Sequence, residues 1–163
     1  MAAPTSRPGS PTDAERQLKA FIGKFEPRHQ TLIRAVRRGL RRRWPTANEL
    51  VYDNYNFFVI GYGPSERPMQ CFVSIAAGAN GVGLSFLWGA TLPDPQGILL
   101  GSGRQNRFLR LAAARDLERP EVEALLVAAV AQSKVPLASS GRGRLIIRSI
   151  SAKQRPRRRG GRK

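Results

Sequence analysis

The chain has one cysteine and one histidine in 163 residues, and 11 acidic side chains against 28 basic ones. Cys71 alone cannot form an internal disulfide. His29 has no second histidine or cysteine nearby, which argues against zinc, and no spacing supports a Ser-His-Asp arrangement. No apolar run approaches the ~20 residues that span a bilayer. The first ten residues hold no hydrophobic stretch of the secretory type. These absences lead to an expected cytoplasmic location without membrane association. They also leave no visible acid–base pair or nucleophile, so binding is expected rather than catalysis.

What the chain has in excess is positive charge, and it is unevenly placed. Residues 1–48 carry eleven Lys/Arg against three Asp/Glu, a net of +8. Residues 49–134 carry seven against eight, a net of −1, and residues 135–163 carry ten against none, a net of +10. A near-neutral middle suits an ordinary core, and cationic ends suit contact with polyanions. The expected organisation is a disordered stretch at 1–11, one domain at 12–134, a linker with a possible edge strand at 135–150, and a disordered basic tail at 151–163. The ends are expected to add nothing to the fold, so that trimming them leaves a body that melts cooperatively.

Periodicity fills in the domain. Thr12 and Glu15 have the spacing of a capping box, opening a helix to about residue 25 with Leu18, Phe21, Ile22 and Phe25 on one face. Pro27 suits the first turn of a second helix, where its missing N–H costs nothing. Its apolar stripe runs through Ile33, Val36, Leu40 and Trp44, and His29 is expected to be exposed near its start. Beyond Glu49 the period shifts from 3.6 to 2. Strands are predicted at 57–62, at 69–77, from Val82 with Leu84, Phe86 and Trp88 on one face, and at 107–111. Asn80 and Gly81 predict a hairpin with a type I′ turn. Pro120 opens a last helix that buries Val122, Leu125, Leu126, Ala129 and Val130. A short apolar strand at 145–150 is expected to dock on the sheet edge or on a partner. Helices, then a meander of strands, then a helix give an α+β fold: two layers, an antiparallel sheet, and helices packed on one face.

Four groups of side chains are candidates for function. In GILLGSGRQNRFLR at 97–110, Gly101 and Gly103 can let backbone amides approach a ligand, Ser102 can donate, and Arg104 and Arg107 can hold an anion. The same stretch also reads as a tight glycine turn feeding a strand. The aromatic and amide residues around Tyr52 and Asn54 can line a groove or pack under the helices. Arg38, Arg41 and Arg42 belong to six arginines between 34 and 43 with no acid among them. With Arg155, Arg157, Arg158 and Arg159 they are the expected contacts for nucleic acid or another polyanion, through salt-sensitive counterion release. Glu49 and Asp53 are the best available oxygen ligands for a hard cation, and ordinary surface carboxylates are the alternative.

The runs NELVYDNYNF at 48–57, GLSFLWGATLPD at 83–94 and GILLGSGRQNRFLRL at 97–111, the helix from Pro120, and the ending IRSISAKQRPR at 147–157 together resemble the YdhG-like family of small bacterial domains. The likeness spans about residues 28–134. The resemblance implies a two-layer fold with an antiparallel sheet. Some members are described as intracellular iron chaperones that work like frataxin, which makes iron the one cofactor it suggests, with Glu49 and Asp53 as ligands. Such a role needs an acidic surface, and this chain is basic, so the expectation without the family role is no cofactor. The expected function is a YdhG-like binding domain that holds a small anion or a protein segment in a groove between sheet and helices, edged by Tyr52, Asn54, Trp88, Arg104 and Arg107. The alternatives are iron delivery, and a nucleic-acid accessory role carried by the arginines of the second helix and the basic end.

Overall fold

In the computed structural model, residues 11–160 are described, with side chains from Asp13 onward. The stretch expected to be disordered at 1–11 therefore falls, but for Pro11, outside the described residues, as does the Thr12 half of the capping box. Three helices, α1 (Pro11–Ile22), α2 (Pro27–Arg43) and α3 (Pro120–Ala131), accompany six strands. The strands are β1 (Asn48–Asp53), β2 (Phe58–Gly63), β3 (Val73–Gly78), β4 (Gly81–Phe86), β5 (Arg107–Leu111) and β6 (Leu145–Ile150). They form one sheet in the order β5-β4-β3-β2-β1-β6. The fold is the expected α+β, with one correction to the sheet. β1 to β5 form an antiparallel meander, whereas β6 runs parallel to β1. The chain reaches that far edge only after α3 and a long irregular segment, and so can arrive in the parallel sense.

Alternation sorts the two sheet faces. Phe58, Ile60 and Tyr62 of β2, Val73, Ile75 and Ala77 of β3, and Val82, Leu84 and Phe86 of β4 are buried toward the helices. Leu18, Phe21 and Ile22 of α1 meet them, with Ile33, Val36 and Leu40 of α2 and Val122, Leu125, Leu126 and Ala129 of α3. Burying a side chain of this size contributes about 1.5–3 kcal/mol. Phe58 anchors the layer, with ring centroids 6.4 Å from Phe21 and 5.8 Å from Phe25. His29 is buried among these residues, not exposed. Among the described residues no helix is long and apolar enough to cross a membrane.

Several local expectations change. The β3–β4 hairpin forms with Gly78 opposite Gly81, but Asn80 keeps a negative φ, so the turn is not type I′. Residues Pro68–Gln70 form a 3₁₀ turn, and β3 starts only at Val73. Trp88 leaves the strand face and donates from Nε1 to the Met69 carbonyl at 3.0 Å. Glu15 turns its carboxylate to Arg37, at 2.8 Å.

The larger correction concerns the C-terminal segment. β6 pairs along β1, and Leu145 and Ile147 pack against the core. Residues 151–160 continue over the end of β1: Ser151 donates its amide to the Asp53 carbonyl and Arg155 to that of Tyr55. This stretch is therefore part of the domain and not a loose tail; residues 161–163 lie outside the described residues. Entry to β6 depends on close backbone approach. The Gly143 amide bonds the Pro45 carbonyl at 2.9 Å, and a Cβ at Gly143 would lie 1.7 Å from the Ala47 oxygen. Gly143→Ala should therefore cost about 1–3 kcal/mol by forcing β6 away from β1, read as a lowered denaturation midpoint.

Candidate polyanion-binding surfaces

β1 places two carboxylates on the helix side of the sheet. Its register opposes Glu49 to Tyr62, Val51 to Ile60 and Asp53 to Phe58, so all three β1 residues face the buried layer. A carboxylate buried there must be paired and hydrogen-bonded. Glu49 accepts from Arg37 Nε at 2.9 Å, Arg37 Nη2 at 3.0 Å and the Tyr62 hydroxyl at 2.8 Å. Burial alone would lower the Arg37 pKa; its bonds to Glu49 and Glu15 reverse this and raise it, so the guanidinium stays charged. Burial and the Glu49 charge push the Tyr62 phenol well above its ordinary value. Asp53 accepts from Lys24 Nζ at 2.7 Å and Arg157 Nη2 at 2.9 Å.

These partners change the expected roles. Glu49 and Asp53 do not present free oxygens to a cation, because a metal ion would have to displace a guanidinium or an ammonium. Among the described residues no three His, Cys, Asp or Glu side chains gather in a way that could hold a metal ion. Arg157, expected to touch a polyanion, is instead buried and held by Asp53 and the Asn54 carbonyl.

The glycine stretch is a structural turn. Gly101 and Gly103 take φ of 108° and 101°, where a side chain would be strained. Leu100 bridges Phe108, and Arg107 braces its own loop by donating to the carbonyls of Gly103 and Asn106. Ser102 and Arg104 are exposed on that loop. Asn54 closes the β1–β2 turn and accepts from Ser149 at 2.7 Å. The space between sheet and helices is filled by the core, so Tyr52, Asn54, Trp88, Arg104 and Arg107 do not edge a groove there.

Two other concavities take its place. The first, of about 470 Å³, lies between α1 and α2. Leu18 and Ile22 form its apolar part, and Arg16, Lys19, Arg34, Arg37, Arg38 and Arg41 line it with a single acid, Glu15. Arg16 pairs with Asp13, Arg37 with Glu15 and Glu49, and Arg41 approaches Glu49 at 3.6 Å. Lys19, Arg34 and Arg38 have no acidic partner among the described residues. Arg34, Arg38 and Arg41 share one face because they are spaced at steps of four and three on α2. Arg42 is exposed outside this groove, and Arg43 ties α2 to Glu123 of α3.

The second concavity, of about 1150 Å³, lies on the sheet face away from the helices. Gly61, Ser74, Ala76, Gly83 and Ser85 are its floor, and Tyr52, Phe57, Phe108, Arg110, Arg155, Arg158 and Arg159 stand around it. Of the residues expected to bind a ligand, Tyr52 alone lines this groove. Its hydroxyl is buried with no well-formed hydrogen bond. Burial and the neighbouring Cys71 push the phenol's pKa up, with Arg148 opposing. Cys71 is itself buried, and its thiol is pushed up to about 11. At pH 8 it should therefore react with iodoacetamide far more slowly in the native chain than in denaturant, measured by mass spectrometry, because little thiolate is present. Equal rates would mean that the thiol is open to solvent.

Sequence reasoning placed Arg34 with Arg38 and Arg41 on one face of the second helix and singled out the three rim arginines near 158, but it did not find Lys19 as a companion. Phe57 belongs to the aromatic run at 51–58 that could line a groove, whereas Phe108 and Arg110 were not found. Apart from Val59, the outward positions of β2, β3 and β4 that line the groove are small, a signal present in the alternation of Gly61, Ser74, Ala76, Gly83 and Ser85. Comparison of the chain with protein-family models, with curated protein sequences and with solved structures finds no match. The fold and these two surfaces are therefore the basis for a function.

Proposed function

We propose that this chain is a non-enzymatic binding module for nucleic acid, working in the cytoplasm through its cationic surfaces. The observation that carries this is the α1–α2 groove: six cations, one acid, and three cations with no acidic partner. Cations held on one helix face at steps of about 5–6 Å suit the regular negative charge of a phosphodiester chain, and their release of counterions supplies the affinity. The YdhG-like resemblance contributes the two-layer frame to this reading. An acidic iron surface does not come with it, since Glu49 and Asp53 are already matched by arginine and lysine.

The test is fluorescence anisotropy of a labelled duplex and a labelled single strand across a salt series. The pair Arg34→Glu and Arg38→Glu should weaken binding at least about 10-fold and reduce the slope of log K against log salt by about 2. Unchanged affinity and slope, with the helical circular dichroism retained, would overturn the assignment of this groove.

A further inference from the structure

We infer that the open face of the sheet is a stacking platform for the unpaired bases of a nucleic-acid single strand, an inference that rests on the nucleic-acid reading above. The platform begins with what the strands place outward. Gly61 of β2, Ser74 and Ala76 of β3, and Gly83 and Ser85 of β4 keep the middle of the sheet low, with Val59 of β2 its one branched side chain. A Cβ on Gly83 would fall 2.5 Å from the Leu109 carbonyl oxygen, so β4 and β5 approach closely only because no side chain stands there. The result is a trough crossing β1 to β5, about 20 Å at 4.8 Å per strand. Its 1150 Å³ exceeds the 300–1,000 Å³ usual for a small-molecule pocket, which favours an extended polymer.

Aromatic rings flank this trough and face water. Phe57 is 55% exposed and Phe108 36% exposed. Phe57 rests on Gly78, in ordinary contact with where a Cβ would be, at 3.5 Å, so one side of the ring is supported. Exposed phenylalanines beside a recess lined by small residues need an apolar, planar partner, and every nucleobase offers one. Tyr52 stands toward the β1 side of the same recess.

Charge sets the polarity of the occupant. Arg110, Arg155, Arg158 and Arg159 line the trough, and no acidic residue does so among the described residues. Three of these arginines are held in place by the buried one between them. Arg157 anchors the segment on Asp53, while the Arg155 guanidinium sits 5.7 Å from the Tyr55 ring. A duplex hides its base faces and would offer this surface only phosphates. A single strand offers both parts, phosphates for the arginines and bases for the rings. This face is separate from the α1–α2 groove, which lies in the helical layer on the other side of the sheet.

The experiment uses the full chain, a labelled oligothymidine of about twenty nucleotides, and a duplex of the same length. Phe57→Ala should weaken single-strand binding about 10-fold, and Phe57→Ala with Phe108→Ala about 100-fold, with the salt slope and duplex binding unchanged. Tyrosine at both positions should restore it. Both residues are exposed, so an unchanged melting curve is the control for folding. Single-strand affinity retained in the double alanine variant would overturn the platform. So would equal competition by an acidic peptide of matching charge, since stacking would then play no part. Loss of binding confined to the Arg34→Glu and Arg38→Glu pair would leave the nucleic-acid reading standing and overturn only the platform. A wild-type chain that binds neither oligonucleotide would overturn both.

Discussion

Asp53→Ala should destabilise the native chain by about 3–5 kcal/mol, read from urea denaturation near neutral pH. The carboxylate is fully buried and joins three parts of the chain: Lys24 just beyond α1, β1 itself, and Arg157. The Arg157 side chain is 2% exposed, and its Nε and Nη1 have no hydrogen-bond partner among the described residues. Taking away Asp53 leaves that guanidinium buried with only the Asn54 carbonyl as acceptor. The cost is that of an unmatched buried charge, larger than that of one lost hydrogen bond. Asp53→Asn adds a pH signature. Burial raises the Asp53 pKa, but hydrogen bonds from Lys24, Gln154 and Arg157 outweigh it, so the folded value lies below the ordinary 3.8. Between the two values the unfolded chain binds more protons than the native one, so stability rises with pH. The contribution of Asp53 is complete above its unfolded pKa and lost as pH falls through the depressed folded value. The asparagine variant should flatten this part of the acid limb. An unchanged limb would mean that Asp53 is not matched as described.

Removal of residues 144–163 should cost about 5 kcal/mol or more, enough to leave no cooperative thermal transition in a chain of ordinary stability. Three losses combine. β1 loses its parallel partner, Leu145 and Ile147 leave the core, and Asp53 keeps Lys24 alone. Circular dichroism on heating is the measurement. A truncated chain that melts sharply, within a few degrees of the full one, would show that β6 is an accessory strand. The outcome also bears on binding, because the removed segment carries Arg155, Arg158 and Arg159 to the rim of the sheet groove.

Local pattern made much of the frame readable. α2 and α3 follow a 3.6 period with proline at their starts, and β4 and β5 follow a period of 2 between glycine-rich turns. β1 resisted the same treatment because Glu49 and Asp53 occupy inward positions, so its buried face alternates with charge rather than with apolar residues. Their cations come from elsewhere: Arg37 from α2, and Arg157 from 104 residues downstream of Asp53. No window of sequence contains both members of that second pair. Arg157 also sits in a run of arginines whose composition is that of an unfolded tail, and nothing local separates the buried one from its neighbours. The site was legible to the same degree. The arginines of α2 and residues 155–159 are visible as charge, but their division between two faces depends on which strands lie side by side. Gly101 to Arg107 looked like a ligand loop because glycines with positive φ serve turns and anion cradles alike.

The parallel pairing of β6 with β1 also sets an order of events. Arg144 bonds the Asn48 side chain across 96 residues, so the partner of β1 is made long after β1 itself. Throughout that interval during synthesis, one side of β1 is a bare strand edge, the kind of template on which chains join one another. Glu49 has Arg37 and Asp53 has Lys24 from upstream, but Asp53 gains Arg157 only once the last segment is made. The same late segment thus closes the edge of β1 and completes the buried charge cluster at its end.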